Sequence, residues 1–275
     1  MKTDLHCHSH FSDGKHSPSF LVKRAEENKI THLAITDHDF MTAATEKNSK
    51  VQIINGVEIS CNWQNQEIHV VGIGIDHKNH ILKSMLFSQQ ASRHKRVGKI
   101  NELLVKAGID GLVAYLDALK CVSVTRSHVA DFLVLSGASK NRQQAFSRFL
   151  GKGGRAYVPA TWVSLSEANH AISASGGIAV LAHPSRYKLN RSNFNKLIDS
   201  FKQAGGSAIE VSYGGIHPNT KRTLEETALK KDLFMSAGSD FHDANAHWTD
   251  IGKFPEISNF AKENVIWRHP KWHFS

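Results

Sequence analysis

Short runs of apolar residues recur along the chain, and each run ends in a polar residue that is able to do chemistry. The runs are rich in Val, Ile and Leu, which is typical of strands covered on both faces, as in parallel sheets. They are KTDLHCH (2–8), HLAITDHD (32–39), VQIINGVEIS (51–60), EIHVVGIGID (67–76), GIAVLAHP (177–184), SAIEVSY (207–213) and LFMSAGSDFH (233–242). Helical patterns separate many of them, over 19–29, 165–174, 193–204 and 220–231. Alternating strands and helices predict an α/β fold, either a barrel or a doubly wound sheet.

Between residues 81 and 154 the strand signals vanish and helix-like stretches follow one another. In ASRHKRVGKINELLVKA (91–107) the apolar residues recur three and four apart beside a strongly basic face. We predict a helical insertion, or cap, over the mouth of a discontinuous barrel made of residues 1–80 and 155–275. A separate domain with its own role is the alternative interpretation of the insertion.

The composition fits a globular enzyme outside the membrane. The chain has 275 residues and is 40% hydrophobic, which is enough to fill a sizeable core. No apolar run approaches the ~20 residues of a membrane span, and the polar start lacks the order of a secretory signal. The three cysteines, Cys7, Cys61 and Cys121, show no CxxC spacing, which argues against a disulfide framework or a structural zinc knuckle. We therefore predict a cytoplasmic protein.

Charge and histidine content suggest the partners. Lys and Arg number 34 against 25 Asp and Glu, a formal net charge of +9 that favours anionic partners such as nucleotides or nucleic acid. A basic surface without such a partner is equally compatible with the charge alone. The 18 histidines are more informative, because neutral imidazole is the commonest metal ligand. We predict no obligate protein partner.

Several of these histidines and acids follow the ends of predicted strands, where the loops of an α/β fold converge. His6 and His8 lie two apart, so both side chains point to the same side of a strand. Glu58 closes an apolar strand, where a carboxylate is costly to bury without a cation. An HxH pair alone fits a surface loop, and His69 alone fits a hydrogen-bonded core residue. Together they give nine candidate ligands: His6, His8, Asp13, His38, Glu58, His69, His183, Asp240 and His242.

Four ligands suffice for one zinc ion, so nine imply two or three divalent metal ions, some of them sharing Glu58. Imidazole and carboxylate ligands without thiolate suit Mn²⁺, Fe²⁺ or Zn²⁺, and we place Mn²⁺ first. Closely spaced cations of this kind suit the hydrolysis of a phosphate ester, because they neutralise phosphoryl oxygens and stabilise the leaving oxygen.

The motifs DLHCHSHFSDG, ITDHD, GVEIS, the histidine of EIHVVGIGID, LAHP and GSDFH resemble, in this order, the PHP superfamily, named for polymerase and histidinol phosphatase. They span residues 4–242. The resemblance implies a distorted barrel of seven strands with a trinuclear metal centre at its mouth. A hydroxide held between the metals would then attack phosphorus.

The resemblance also implies how the ligands divide among three metals. The first would be held by His6, His8, Glu58 and Asp240. The second would be held by Glu58, His69 and His183, and the third by Asp13, His38 and His242. Some members have histidine where Asp13 lies, so the third site can differ in metal preference or occupancy.

Within the superfamily, the short spacing from Glu58 to His69 and the insertion before LAHP are similar to the small stand-alone phosphoesterases. Those members remove the 3′-phosphate of nucleoside 3′,5′-bisphosphates, and some degrade short RNA from the 5′ end. The segment 124–158 is similar to their substrate cap. We expect Arg126 and Arg155 to bind phosphate, because guanidinium groups do so in a bidentate manner, with His128 beside them.

Three further residues are candidates for the reaction. Tyr213, with His217 in the same turn, is expected to contact the nucleoside or donate a proton, although SYGGIHP also fits a purely structural turn. Asp37 and His217 are the candidates for proton handling. A metal-dependent phosphoesterase acting on nucleotides is thus the main hypothesis. The alternatives are a histidinol-phosphate phosphatase and a non-catalytic nucleic-acid-binding module.

Overall fold

A computed structural model describes residues 1–43 and 49–274. Eight strands lie among them: β1 (Thr3–Cys7), β2 (His32–Ile35), β3 (Gln52–Trp63), β4 (Gln66–Ile73), β5 (Val163–Ser164), β6 (Ile178–Leu181), β7 (Ala208–Ser212) and β8 (Phe234–Ala237). The helices are α1 (Pro18–Glu27), α2 (His80–Lys106), α3 (Leu112–Asp117), α4 (Arg126–Leu135), α5 (Arg142–Ala145), α6 (Leu165–Ala174), α7 (Arg191–Gln203) and α8 (Pro218–Lys230). A π-helical stretch, Phe146–Leu150, continues α5, and 3₁₀ turns lie at Pro184–Arg186, Asn259–Asn264 and Ile266–Arg268.

Seven of the strands form one sheet in the order β1-β2-β3-β4-β6-β7-β8, and the short β5 pairs with β3 off this path. The sheet curls until its two edges meet. There Cys7 bridges Phe241 in parallel, and the backbone N–H of Asp240 donates to the carbonyl of His6 at 2.8 Å. The sheet is therefore a nearly closed barrel rather than an open doubly wound sheet.

One strand runs against the others. β4 is antiparallel to both β3 and β6, whereas the remaining neighbours pair in parallel. The turn between β3 and β4 is only Gln64 and Asn65, both at positive φ, and so tight a turn can only join antiparallel strands. The interpretation of all the runs as parallel strands was therefore wrong for β4.

The helices begin where the sequence supplies caps. Ser17 accepts a hydrogen bond from the N–H of Phe20 and precedes Pro18, while Ser164 forms a capping box with Glu167 at the start of α6. The pattern over 165–174 coincides with α6, and α1, α7 and α8 begin one or two residues before their predicted starts. Among the described residues, no helix is both long and apolar enough to cross a membrane.

The helices from α2 to α5 cover the predicted cap region. Leu82 and Leu86, near the start of α2, pack into the hydrophobic cluster of the barrel. Ile100 and Leu104, near its end, pack instead with buried residues of α3, α4 and the π-helical stretch in a cluster of their own. One long helix therefore belongs to both cores, and the proposed barrel and cap boundaries at 80 and 155 stay a prediction.

Candidate metal centre

The nine candidate ligands meet at one end of the barrel. Most of them lie at or just after the carboxyl ends of strands, where their side chains face the barrel mouth. Seven of the nine are buried, and His69 and His242 are half-buried. His6 and His8, at the end of β1, lie close to Asp240, which follows β8. These side chains can approach one another only because the sheet closes between its edge strands β1 and β8.

Glu58, on β3 and completely buried, is at the centre of this cluster. Its Oε2 lies 3.4 Å from Nε2 of His6, 3.3 Å from Nε2 of His8 and 3.0 Å from Nδ1 of His38. Its Oε1 lies 3.0 Å from both Nδ1 of His69 and Nε2 of His183. A carboxylate with imidazole nitrogens around both oxygens has the arrangement of a ligand shared between metal ions.

Two further carboxylates flank Glu58. Oδ1 of Asp240 lies 3.6 Å from Nε2 of His6 and 3.4 Å from Nε2 of His8. Oδ1 of Asp13 lies 3.3 Å from Nε2 of His242. Three groups of side chains have ligand atoms within 4.8 Å of one another: His6, His8 and Glu58; His38, Glu58 and His69; and His8, Asp13, His38 and His242.

This grouping differs in detail from the one implied by the resemblance. His38 lies near Glu58 and His69 as well as near Asp13, and His8 lies near the Asp13 group as well as near Glu58. The assignment of ligands to individual metals therefore stays a proposal.

Divalent cations would satisfy the buried polar atoms of this cluster better than hydrogen bonds among its side chains do. Within the described part of the chain, no hydrogen bond reaches Oδ1 of Asp13, Nδ1 of His38, Oε2 of Glu58 or Nδ1 of His183, although all four atoms are buried. Nε2 of His6 also faces Nε2 of His8 at 3.2 Å. Because Nδ1 of His6 donates to a carboxylate and Nδ1 of His8 to the hydroxyl of Ser12, both Nε2 atoms present lone pairs when the imidazoles are neutral. Orphaned buried donors and acceptors are costly, and metal coordination satisfies them.

Without metal, the histidines and acids shift one another's pKa. Burial opposes ionisation of Glu58, but the charges of His69 and His38 hold its pKa well below the usual range. Burial likewise favours the neutral form of His8, yet the neighbouring carboxylates of Asp240 and Glu58 raise its pKa to about 10. The pKa of His6 is raised well above its ordinary value, because the charges of Glu210 and Glu58 outweigh its burial. The acids are therefore ready to bind a cation, while two histidines must first lose protons.

Two supporting residues were missed from the sequence. Glu210, buried on β7, accepts a hydrogen bond from Nδ1 of His6 at 3.1 Å and one from the backbone N–H of His183 at 2.7 Å. Tyr187 accepts from the N–H of His69 and donates to the carbonyl of Ala182, both at 2.9 Å. These contacts orient ligands on three strands. A carboxylate inside the apolar run SAIEVSY was a signal of the same kind as the one that identified Glu58.

A cavity of about 110 Å³ opens beside the ligands Asp13, His38 and His69. We call it the arginine cavity, because Arg93, Arg96 and Arg126 line it together with the hydroxyl-bearing Ser60, Thr125 and Ser127. It continues past Arg96 and Arg126 into an outer cleft of about 520 Å³ that Asn62, Asn65, Lys152 and Tyr157 also line. The arginine cavity suits a phosphate group, and the outer cleft has the volume of a small-molecule site.

The arginines of this cavity are held in place by acids. Arg126 donates to Oε2 of Glu67 at 3.0 Å, and Nη1 of Arg96 lies 3.6 Å from the same oxygen. Burial opposes ionisation of Glu67, but the two guanidinium groups lower its pKa to about 2. Arg93 is paired with Asp39. Arg126 thus lines the cavity, and its role as a phosphate contact stays a prediction. The sequence did not indicate that Arg93 and Arg96 also line it, because α2 has the pattern of a basic helix face.

Other predicted substrate residues lie elsewhere. His128 is buried, and its Nδ1 accepts from the N–H of Thr125 at 3.0 Å in a capping box at the start of α4. Arg155 is exposed and does not line the arginine cavity. The ring of Tyr213 is buried beneath the guanidinium of Arg186, which lies 5.0 Å from the ring centroid, and its hydroxyl is hydrogen-bonded to Ser185. Only Arg126 of these four faces the arginine cavity.

The two candidates for proton handling are engaged in local structure. The carboxylate of Asp37 accepts hydrogen bonds from the N–H of Ser9 at 2.8 Å, from the hydroxyl of Ser12 at 2.5 Å and from the hydroxyl of Thr42. It thereby holds the loop between His8 and Asp13. His217 is exposed at the start of α8, where Nδ1 accepts from the N–H of Asn219 at 3.3 Å. Neither side chain is hydrogen-bonded to a candidate ligand among the described residues.

Arg186 is a further residue that the sequence did not suggest. Its guanidinium forms an ion pair with Asp240. It follows His183 by one 3₁₀ turn, Pro184–Arg186, which places it beside the cluster. A cation at this position faces the same mouth as the ligands.

Comparisons with known proteins agree with this geometry. The model of the PHP domain family matches residues 4–212. A 5′-3′ exoribonuclease of Haemophilus influenzae is 41% identical over 92% of this chain and 93% of its own length. A 3′,5′-nucleoside bisphosphate phosphatase of Chromobacterium violaceum is 35% identical over 96% of this chain and 95% of its own.

Solved structures give the same answer for the fold. An amidohydrolase from Chromobacterium violaceum with bound sulfate superposes with a TM-score of 0.89 and 33% identity, covering 98% of this chain and 95% of its own. A protein from Bifidobacterium adolescentis described as a metal-dependent phosphoesterase has a TM-score of 0.78 at 26% identity, covering 95% and 94%. The predicted distorted α/β barrel is confirmed, and so is the prediction of a hydrolase acting on phosphoric esters. The chain belongs to the PHP domain family.

Proposed function

We propose that this protein removes the 3′-phosphate of nucleoside 3′,5′-bisphosphates and degrades short RNA from its 5′ end, using two or three divalent metal ions, with Mn²⁺ as the first choice. One observation carries the proposal. The arginine cavity opens directly onto the candidate ligands Asp13, His38 and His69, so one substrate can present one phosphate to the metals and another to guanidinium groups. The names of the two relatives described above support the same substrates.

The nine ligands Asp13, Glu58, Asp240, His6, His8, His38, His69, His183 and His242 would hold the metals, which supply positive charge against the phosphoryl oxygens and lower the pKa of a bound water. This chain's own groups bind and orient the rest of the substrate. Arg126, held by Glu67, and Arg96 would bind the second phosphate. Asp37 would act as a positioning residue for the loop that carries His8 and Asp13.

We also propose a cytoplasmic location, supported by three free cysteines, which suit a reducing compartment.

The test compares two substrates in the metal-loaded protein: adenosine 3′,5′-bisphosphate, and adenosine 3′-phosphate, which lacks the second phosphate. We expect Arg126→Ala to raise KM for the bisphosphate about tenfold or more while changing KM for the 3′-phosphate far less, because a charge-assisted phosphate contact is lost. Arg222→Ala, an exposed arginine on α8, is the matched control. Equal effects on both substrates would place the second phosphate away from Arg126.

The same assay separates the alternatives. Faster hydrolysis of histidinol phosphate than of the bisphosphate would indicate a histidinol-phosphate phosphatase. RNA binding without hydrolysis under Mn²⁺, Fe²⁺ and Zn²⁺ would indicate a non-catalytic nucleic-acid-binding module.

A further inference from the structure

We propose that Trp248 is a stacking platform for the nucleobase on the 3′ side of the scissile phosphate in an RNA substrate. This inference rests on the proposed function and extends it to the part of an RNA that a mononucleotide lacks.

Trp248 lies exposed at the barrel mouth. Its side chain is 59% exposed, in the segment that directly follows the ligands Asp240 and His242. The next residue, Thr249, is buried and donates its hydroxyl to the carbonyl of Ser239 at 3.2 Å. Because Ser239 precedes Asp240, this hydrogen bond fixes the backbone at Trp248 close to the metal centre.

One edge of the indole lies beside Gly215, in the loop after β7. A Cβ built on Gly215 would be 3.8 Å from Cε3 of Trp248, and Gly215 has a φ of 74°. The neighbouring Gly214 packs against Ser239 and Thr249 with no room for a Cβ. These glycines follow the end of β7, so the loop after β7 meets one edge of the ring, and more than half of the Trp248 side chain stays exposed.

Trp248 lines neither the arginine cavity nor the outer cleft. The arginine cavity is lined by Asp13, His38 and His69, whereas the Trp248 segment continues from Asp240 and His242. If the 5′-terminal nucleotide occupies the arginine side, an RNA strand that passes through the metal centre leaves on the side of Trp248. A nucleoside bisphosphate ends at the metals and does not reach this side.

Cations accompany the exposed ring. Nζ of Lys253 donates to the carbonyl of His247 at 2.9 Å, which places an ammonium group beside Trp248. The guanidinium of Arg186 lies between Asp240 and the ring of Tyr213 at the same mouth. An aromatic face next to cations is the combination that binds single-stranded nucleic acid, where bases stack and phosphates pair with charges.

The experiment compares Trp248→Ala and Trp248→Phe with the unmodified protein. The substrates are adenosine 3′,5′-bisphosphate and a 5′-phosphorylated oligoadenylate of about five nucleotides. We expect the ratio of kcat/KM for the oligonucleotide to kcat/KM for the bisphosphate to fall about tenfold in Trp248→Ala, since the base loses the aromatic face on which it stacks. Trp248→Phe should keep most of the ratio, because its ring still stacks. Phe260→Ala, which removes another exposed aromatic, is the matched control.

Binding provides a second readout that does not need turnover. The anisotropy of a 3′-labelled oligoadenylate, titrated with protein in EDTA, should show weaker binding to Trp248→Ala than to Phe260→Ala. An unchanged ratio together with unchanged binding, or an equal loss on both substrates, would overturn the proposal. If the unmodified protein did not hydrolyse the bisphosphate, the proposed function would fail, and the anisotropy measurement would still test Trp248.

Discussion

Glu58 is the residue on which the metal centre depends most, because its two oxygens contact five imidazoles. Glu58→Gln keeps the shape but removes the charge and brings an amide N–H toward nitrogens that must offer lone pairs. We expect kcat to fall at least about 100-fold and bound metal per chain to decrease. Phosphate release and metal analysis of the dialysed protein measure both. Glu226→Gln, in an exposed ion pair on α8, is the control, and full metal content with normal kcat in Glu58→Gln would contradict the assignment.

The histidines predict proton release on metal binding. In the metal-free cluster the pKa of His8 is raised to about 10, so this histidine is protonated at pH 7.5, and the pKa of His6 is raised in the same direction by the charges of Glu210 and Glu58. Ligation requires the neutral imidazole. Calorimetric titration of EDTA-treated protein with Mn²⁺, in buffers of different ionisation enthalpy, should show release of at least these protons at pH 7.5. Release should decrease as the pH is raised from 7.5 toward the pKa of His8, because a growing fraction of this histidine begins neutral. Release that does not change with pH would mean that other groups supply the protons.

Individual ligands could be predicted from the sequence where a polar residue interrupts or ends an apolar run. Glu58 and His69 stood out for this reason, because burying such a group without a partner is costly. Asp37 met the same criterion, yet its partners are three hydroxyl-bearing residues rather than a substrate. The pattern therefore finds a buried polar group, and only the three-dimensional arrangement shows what satisfies it.

At the scale of elements, α2 is joined to the barrel by a buried ion pair. Arg93 on this helix pairs with Asp39, which follows the ligand His38, and Nη2 of Arg93 also donates to Ser60 on β3 at 2.8 Å. We expect Arg93→Ala to lower the free energy of unfolding by about 3 kcal/mol, because it leaves a buried carboxylate uncompensated. Urea unfolding of the metal-free protein measures this loss.

Two variants test the explanation for that loss. Lys95→Ala, on the exposed face of the same helix, should change the stability little. Adding Asp39→Asn to Arg93→Ala should recover part of the lost stability, because the uncompensated charge is gone. A double variant less stable than Arg93→Ala would show that the ion pair is not the reason.

The elements themselves were largely predictable because their signals are local. α6 begins with a capping box and ends where the apolar periodicity stops, so both bounds could be predicted from residues 164–174. The direction of β4 depends on its partners β3 and β6, and β5 has only two residues, Val163–Ser164. The direction of a strand and the formation of a two-residue strand both depend on contacts between distant segments. The hydrophobic periodicity of the sequence does not contain that information.

At the scale of the whole molecule, the barrel brings segments from both ends of the chain to one mouth, and the cap adds the arginine side. The order of motifs predicted the barrel and its ligand-bearing end. It did not predict that Arg93 and Arg96 turn inward, because the sequence pattern of a basic helix face is the same whether that face lies against solvent or lines a cavity. The net charge of +9 likewise shows only that anions are favoured, and the structure adds that Arg93, Arg96 and Arg126 gather beside the candidate ligands.

That distribution of charge predicts how salt affects the two substrates. In the proposed binding mode a bisphosphate reaches the metals and the arginine cavity, whereas an RNA also passes Lys253, whose Nζ donates to the carbonyl of His247 next to Trp248. In a plot of log affinity against log salt concentration, each phosphate of a single strand that a cation neutralises adds about −0.7 to the slope. At subsaturating substrate, kcat/KM for oligoadenylate should therefore fall more steeply with KCl than kcat/KM for the bisphosphate.

Two variants separate charge from stacking in this experiment. Lys253→Ala should reduce the salt slope for the oligonucleotide by about 0.7, because one cation is removed. Trp248→Ala should lower the rate on RNA without changing the slope, since a stacked ring neutralises no phosphate. If Lys253→Ala left the slope unchanged while Trp248→Ala reduced it, the strand would contact other cations, and its path past the loop after β8 would have to be redrawn.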